Sequence, residues 1–146
     1  TTYTLLTAGT DGGLVSGDYQ PAPDPAFADD GGALADAITE PVTFFGVAFS
    51  AATDPTDAQS GEDVPTPVVT ATDGTLSGDL SALAAYYGGE IFNQGAPKPD
   101  GGGEGPTGTI DPETGEYVLE WSSQIVGGAF NDFTGVWHLE GTFAAG

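Results

Sequence analysis

The stretch TGTIDPETGEYVLEWSSQIV, residues 107–126, decides the class of fold. Large apolar side chains recur at every second position in it, at Tyr117, Leu119 and Trp121, and a period of two is typical of a half-buried β-strand. The sequence DPETG at residues 111–115 predicts a tight turn, because Pro, Asp and Gly favour turn backbone angles. The stretch therefore predicts a β-hairpin with strands at residues 107–110 and 116–126.

A further strand is predicted after this hairpin, at residues 135–143. The pairs Gly127-Gly128 and Asn131-Asp132 supply the turn before it. Alternation places Val136 and His138 on one face of this strand and Trp137 and Leu139 on the other.

Toward the N-terminus, 24 Gly and 11 Pro divide the chain into short segments, and short segments favour strands. Residues 41–51 are apolar on both faces, which predicts a central strand covered on both sides. Residues 76–87 alternate until Leu83, where we expect a bulge or a helical turn. Strands are also predicted at residues 1–7, 14–19 and 67–72. One helix of at most two turns is predicted at residues 33–39. Loops are predicted at residues 21–30, 54–67 and 95–105.

Eight to ten short strands with at most one short helix predict an all-β fold. We expect an antiparallel two-sheet sandwich, jelly-roll or immunoglobulin-like, with a β-barrel as the alternative. A chain of 146 residues fits one domain, which we expect to span residues 1–146.

Charge is the second feature of the sequence, with 22 carboxylates, no Arg, and Lys98 as the one basic residue besides a single His. The net charge of −21 repels phosphates and anionic lipid headgroups, so neither nucleic acid nor a membrane is an expected partner. Salt, divalent cations or a basic partner would relieve the repulsion within the chain.

The absence of Cys and Met from the sequence also bears on the cellular location of the protein. The chain has no Cys, so no disulfide framework is expected, and no Met, even at position 1. A chain that starts with Thr1 predicts that a signal peptide has been removed and that the protein is extracellular or at the cell surface. No stretch approaches the roughly 20 apolar residues of a transmembrane helix.

Three runs in the C-terminal half carry a resemblance: GTIDPETG at residues 108–115, WSSQIVGG at 121–128 and WHLEGTF at 137–143. Residues 77–80 (SGDL) and 92–95 (FNQG) add to it. Together they resemble uncharacterised exported bacterial β-rich proteins of the PEP-type sorting and anchoring class. The resemblance implies export and a surface or matrix role, and it implies no active site.

Catalytic machinery is not expected in this sequence. His138 and Glu140 lie two residues apart on one strand face and could pass a proton, but a hydrogen bond on a sheet face is the simpler interpretation. The chain lacks Cys, clustered His and a Gly-x-Ser-x-Gly motif, which excludes the usual thiol, zinc and serine hydrolase sites. With 22 acids, a glycosidase pair cannot be singled out.

Calcium is the cofactor that the acidic loops would suit, because it takes six to eight oxygen ligands. The densest cluster comprises Asp54, Asp57, Glu62 and Asp63. A second candidate site pairs Asp29 with Asp30, joined by Asp11. The alternative is that both loops are simply solvated, since neither matches the EF-hand spacing.

Two functions from different classes follow. The first strand, residues 1–7, could be donated to the sheet of a neighbouring copy, although pairing within its own domain is the alternative. We therefore predict a non-catalytic extracellular structural subunit of a surface or matrix fibre or layer, self-associating through β-strand addition and calcium.

The alternative is a secreted carbohydrate-binding module with exposed aromatic rings at Tyr86-Tyr87 or Trp137, if these are not core residues. An enzyme ranks third.

Overall fold

The computed structural model describes residues 2–145, and this part of the chain forms nine β-strands and no helix. Accordingly, none of these residues belongs to a helix that could span a membrane. The strands are β1 (Val42–Phe44), β2 (Val47–Thr53), β3 (Val68–Thr72), β4 (Thr75–Asp79), β5 (Leu83–Tyr87), β6 (Glu90–Asn93), β7 (Thr107–Ile110), β8 (Glu116–Gln124) and β9 (Thr134–Thr142).

These strands build two antiparallel sheets, as in a two-sheet sandwich. The four-stranded sheet has the order β1-β2-β5-β6, and the five-stranded sheet has the order β3-β4-β7-β8-β9. All strand pairs are antiparallel. The all-β, two-sheet prediction is confirmed, and neither sheet closes into the barrel that was its alternative.

The predicted C-terminal hairpin is confirmed. Strand β7 pairs with β8 across the turn at residues 111–115, and β8 pairs with β9 along nine residues. Trp121 lies opposite Trp137, and their rings stack with centroids 6.0 Å apart. The alternation in sequence thus becomes a buried inner face and an exposed outer face of the five-stranded sheet.

The single strand expected at residues 41–51 is wrong. The chain turns at Phe45 and Gly46, which both have positive φ angles of 49° and 82°. Positive φ at both central residues is the geometry of a two-residue hairpin turn. Phe rarely adopts it, so this segment forms the β1-β2 hairpin instead of one central strand.

The single strand expected at residues 76–87 is also two strands, β4 and β5, in different sheets. The chain crosses between them at Leu80, which is fully buried. The Asp79 carboxylate accepts hydrogen bonds from the backbone N–H and the hydroxyl of Ser81 at 2.9 and 2.6 Å, which stabilises this corner. The predicted irregularity near Leu83 therefore marks a change of sheet.

The helix expected at residues 33–39 is absent, and this segment is extended. The Ala33 N–H donates to the Ala48 carbonyl at 3.1 Å, and the Leu34 N–H donates to Ala26 at 2.8 Å. A helix of one or two turns is marginal alone, whereas the small Ala33 and Ala35 allow the extended backbone to lie against the four-stranded sheet.

The two strands expected nearest the N-terminus are not formed either. Residues 2–7 belong to no strand, and Thr1 lies outside the described residues. Residues 14–19 turn at Gly17, where φ is 92°. The Gly17 N–H donates to the Pro67 carbonyl at 2.6 Å, so this segment is a loop beside β3.

The core has two parts. The first lies on the inner face of the five-stranded sheet and extends to β5, with buried Leu76, Leu80, Leu83, Ala96, Leu119 and Trp121. The second lies between the four-stranded sheet and residues 22–35, with buried Ala33, Ala35, Ala52, Ala84 and Tyr86. Burial of this apolar surface is the main stabilising term for the fold.

Candidate interaction site

The outer edge of β9 is the longest of the sheet edges, on a strand of nine residues. Hydrogen bonds from Ile125 N–H to Phe133 O and from Phe143 N–H to Gly115 O flank the β8-β9 ladder. Because bonded pairs alternate in an antiparallel ladder, odd-numbered residues of β9 bond to β8 and even-numbered ones direct their backbone groups outward. We call these outward groups the β9 edge; they belong to Thr134, Val136, His138, Glu140 and Thr142.

The other three sheet edges are capped or short. At β6, the Gln59 amide donates to Ile91 O at 2.8 Å and its oxygen accepts from Asn93 N–H at 2.6 Å. At β3, the Val69 N–H donates to the Ser16 hydroxyl at 3.1 Å. Strand β1 has only three residues. The β9 edge, on a strand of nine residues, receives no backbone or side-chain hydrogen bond from residues 2–145.

A large apolar groove lies between β9 and the four-stranded sheet. Its volume is about 800 Å³, and it is lined on one side by residues 135–141 of β9. Aromatic rings line the other side, contributed by Phe44, Phe49, Tyr87, Phe92 and Phe130. Several of these rings contact one another edge-on or tilted, with Phe44 at the centre of the set. We call this feature the aromatic groove.

Residues 2–7, which we call the N-terminal segment, run along the same groove without joining the sheet. Residues 2–6 line it, yet the one backbone hydrogen bond that the segment makes within residues 2–145 is from Glu40 N–H to Thr7 O at 3.3 Å. Leu5 is 57% exposed. The segment therefore lies beside an unpaired strand edge, and apart from Thr7 O its own backbone groups have no partner within residues 2–145.

The contact between the N-terminal segment and β9 is made by Tyr3 and His138, whose rings stack with centroids 4.5 Å apart. His138 Nδ1 lies 3.0 Å from Glu120 Oε2, and Nε2 lies 2.9 Å from Glu140 Oε2. Ionised carboxylates only accept hydrogen bonds, so both nitrogens donate when the imidazole is protonated. Glu120, His138 and Glu140 thus form a charged cluster on the outer face.

The pKa directions agree with this geometry. The hydrogen bond to Glu140, followed by the one to Glu120, raises the pKa of His138 above its ordinary value. The hydrogen bond from His138 lowers the pKa of Glu120. Desolvation and then Glu120 raise the pKa of the Tyr3 phenol. The two carboxylates therefore favour the charged form of the imidazole.

The predicted calcium ligands of the 54–63 loop differ in their surroundings. The Asp54 carboxylate accepts a hydrogen bond from the Tyr86 hydroxyl at 2.6 Å, and burial raises the pKa of Asp54 although this bond opposes it. Asp57 is buried, and Asp57 and Glu62 line one cleft. Asp63 is exposed. The loop thus brings two of the four acids to one place.

The second predicted cluster lies in a turn. Asp29 and Asp30 are both exposed, and Asp30 accepts a hydrogen bond from Gly32 N–H at 2.8 Å. Across residues 2–145, no group of three or more acidic or imidazole side chains is arranged to hold a metal ion. Calcium binding stays a prediction.

The aromatic residues considered as a sugar platform have other partners. Tyr86 is buried, while Tyr87 lines the aromatic groove and donates its hydroxyl to Phe44 O at 2.7 Å. Trp137 is partly buried against the core, and its indole N–H donates to Gln94 Oε1 at 3.0 Å. None of the three is an isolated exposed ring.

The sequence did not predict three features of this region: the position of Glu120, the position of Phe130 and the cap at Gln59. Glu120 meets His138 only because of the β8-β9 register. The alternation of residues 116–126 places Glu120 outward, so pairing that strand with residues 135–143 would have found it. Phe130 lies in a glycine-bounded loop, and Gln59 in a polar one, where no periodic signal exists.

No protein-family model, curated protein sequence or solved structure matches this chain. The resemblance to exported proteins of the PEP-type sorting class, and the extracellular location, stay predictions. What can be said of function therefore rests on the geometry of the chain itself.

Proposed function

We propose that this chain is a non-catalytic structural subunit that joins copies of itself by β-strand addition. The N-terminal segment of one copy pairs with the β9 edge of the next, and repetition extends a fibre or layer. The observation that carries this proposal is the long, uncapped β9 edge. An open edge strand offers unpaired N–H and C=O groups that template another strand.

The N-terminal segment has the composition of a donated strand. TYTLLT at residues 2–7 combines aromatic, β-branched and aliphatic residues without Gly or Pro, and such residues favour strands. Tyr3 and Leu5 would alternate with Thr4 and Leu6, so that one row of side chains enters the aromatic groove. A strand of this length adds roughly six backbone hydrogen bonds, each contributing about 1 kcal/mol.

In the proposed assembly the N-terminal segment exchanges its contacts within one copy for contacts with the β9 edge of a neighbouring copy. In the single copy, within residues 2–145, it makes one backbone hydrogen bond, from Glu40 N–H to Thr7 O, and leaves Leu5 mostly exposed. Transfer to a neighbouring β9 edge satisfies backbone groups on both strands and buries leucine side chains. Burial of one leucine contributes about 1.5–3 kcal/mol, which opposes the entropy lost on association.

Charge sets the conditions for assembly. Two subunits of charge −21 repel one another, and salt screens exposed charges beyond about 10 Å at 0.1 M. We infer that association strengthens with ionic strength and with calcium, which bridges carboxylates. This preference fits an extracellular or cell-surface location, as the resemblance to exported proteins also implies.

Complementation between two variants tests the proposal. Leu6→Pro disables the donor and keeps the acceptor edge, while Val136→Pro removes one outward N–H and keeps the donor. Because Val136 directs its N–H away from β8, the proline spares the β8-β9 ladder. Size-exclusion chromatography with light scattering in high salt should give oligomers for the parent, monomers for each variant alone, and a one-to-one dimer on mixing.

The matched control is Val136→Thr, which keeps the N–H and the β-propensity and should assemble like the parent. Thermal unfolding of each variant establishes that it is folded. If either proline variant assembles as the parent does, or if the mixture stays monomeric, strand addition at the β9 edge is wrong.

A further inference from the structure

A second concave site lies between two loops and the adjoining ends of β8 and β9. It has a volume of about 510 Å³, which lies within the range of small-molecule sites. Residues 57–62, residues 93–103 and residues 122–124 supply its walls. We call it the Asp57 cleft.

Two buried polar atoms in its walls lack a hydrogen-bond partner, Asp57 Oδ1 and Ser123 Oγ, and they are the two such side-chain atoms within residues 2–145. Asp57 is 5% exposed and Ser123 is 4% exposed. Buried polar atoms are nearly always paired, because an unpaired one destabilises the fold. That both exceptions line one cleft indicates that something hydrogen-bonds there.

Asp57 is fixed in position by its other oxygen. Oδ2 accepts hydrogen bonds from the Ser60 backbone N–H at 2.9 Å and from the Ser60 hydroxyl at 2.6 Å. The carboxylate is therefore anchored on one side, and Oδ1 remains as an acceptor on the other. An acceptor held rigidly before its donor arrives binds that donor at a small entropic cost.

Lys98 supplies the donor of the cleft. Its ammonium group is partly buried and donates to the Asn93 carbonyl at 2.8 Å and to Asn93 Oδ1 at 3.4 Å. An ammonium group has three protons, so one is left for a ligand. Desolvation lowers the pKa of Lys98, while Asp57 and Asp100 oppose that shift, which ties the lysine electrostatically to the carboxylate.

The positive Lys98 and the carboxylates of the cleft together favour a ligand without net charge. The positive Lys98 ammonium group lies in the wall of the cleft, and it repels a metal cation. Glu62, Asp57 and Asp100 together with the net charge of −21 repel an anion. No aromatic ring lines the cleft, so a flat apolar ligand has nothing to stack on.

We propose that the Asp57 cleft binds a neutral hydroxyl-rich ligand of the mono- or disaccharide class. A sugar hydroxyl both donates and accepts. One hydroxyl donates to Asp57 Oδ1, a neighbouring oxygen accepts from Lys98, and Ser123 Oγ exchanges a hydrogen bond with a third group. Of the β9-edge residues, Thr134 alone lines the cleft, and this proposal does not rest on self-association.

The test is a titration of the full ¹⁵N-labelled chain with glucose, galactose, mannose, N-acetylglucosamine, cellobiose and maltose, followed by amide chemical shifts. We expect at least one of these sugars to bind with shifts concentrated at residues 57–62, 93–103 and 122–124. Asp57→Asn should weaken that binding about tenfold or more, the scale of one charge-assisted hydrogen bond.

Ser123→Ala separates binding from folding. It removes a buried hydroxyl that has no hydrogen-bond partner within residues 2–145, so the melting temperature should stay unchanged or rise, while sugar affinity should fall several-fold. Asp11→Asn, an exposed acid outside the cleft, is the matched control and should leave affinity unchanged. Calcium chloride forms a parallel titration.

Three results would overturn the proposal: none of the six sugars shifts the cleft amides, Asp57→Asn binds sugar as tightly as the parent, or calcium shifts the cleft amides and the sugars do not. The sugars are titrated at low salt, where the chain is expected to be monomeric. Absence of sugar binding would therefore not bear on strand addition, which is tested separately in high salt.

Discussion

The edges of β6 and β9 differ in how they are protected. At β6, one side chain, Gln59, occupies two outward backbone groups, at Ile91 and Asn93. At β9, the outward backbone groups of five residues have no partner within residues 2–145. Only the charged side chains of His138 and Glu140 oppose pairing of this edge with another strand. Because proteins generally blunt their sheet edges, the open edge beside the apolar groove is where we propose the interface.

The first prediction, with the largest expected effect, concerns the inner face of the β8-β9 pair. Trp121→Ala removes a side chain that is 5% exposed, stacks on Trp137 and donates its indole N–H to Gln94 O at 2.8 Å. We expect a loss of about 3–5 kcal/mol in the free energy of unfolding, measured by urea denaturation. Val136→Ala on the outer side should cost under about 1 kcal/mol; comparable losses would refute the assigned inner and outer faces.

The second prediction removes the cap of β6. Gln59→Ala leaves the Asn93 N–H without its partner in a buried position, so we expect a loss of about 1–3 kcal/mol in the free energy of unfolding. Gln124→Ala, at an exposed position, is the control and should change it by less than about 0.5 kcal/mol. Equal effects would show that Gln59 is not a cap.

The third prediction loosens the N-terminal segment from its own β9. Tyr3→Ala removes the ring stacked on His138 and should lower the free energy of unfolding of the monomer by about 0.5–1.5 kcal/mol. Leu5→Ala, in a largely exposed position, should have under about 0.5 kcal/mol of effect. If Leu5→Ala is the more destabilising change, the segment is held by the groove and not by the Tyr3 contact.

The smallest effect is the pH dependence of this contact. The raised pKa of His138 means that its contribution to stability is complete below its ordinary value of 6.5 and is lost as pH rises through the raised value. The lowered pKa of Glu120 means that its contribution is present above 4.5 and is lost as pH falls through the lowered value. Both contributions coexist between these limits.

Melting temperatures across that range should therefore fall on the alkaline side in the parent and much less in His138→Gln, which keeps the size and polarity of the side chain without its charge. A parent and variant with parallel pH profiles would show that the imidazole is not ion-paired with Glu120 and Glu140.

Sequence alone predicted the parts of the fold that depend on local chemistry. Alternating apolar residues and the DPETG turn were sufficient for the β7-β8 hairpin and the all-β class. The β1-β2 turn was missed because Phe45 occupies a left-handed conformation that bulky residues seldom adopt. The change of sheet at Leu80 was missed because alternation continues across it, and periodicity does not say which sheet a strand joins.

The candidate site was predictable only in part. The β-strand character of residues 1–7 suggested donation, but whether the segment pairs within its own domain depends on long-range packing. The open state of β9 follows from strand order, which single-sequence patterns do not reveal. The Asp57 cleft is formed by loops, in which apolar residues do not recur at a regular spacing. The sequence identified Asp57 and Glu62 as a cluster, but it did not predict that Asp57 Oδ1 lacks a hydrogen-bond partner or that Lys98 lies in the same cleft.

The most direct test of the central claim is residue-resolved hydrogen exchange in the monomer and in the high-salt assembly. Strand addition predicts that the amides of Thr134, Val136, His138, Glu140 and Thr142 exchange rapidly in the monomer and become protected in the assembly, together with those of residues 2–7. Amides along the Gln59-capped edge of β6 should not change. Assembly that leaves the β9 edge unprotected, or that protects β6 or β3 instead, would contradict the account.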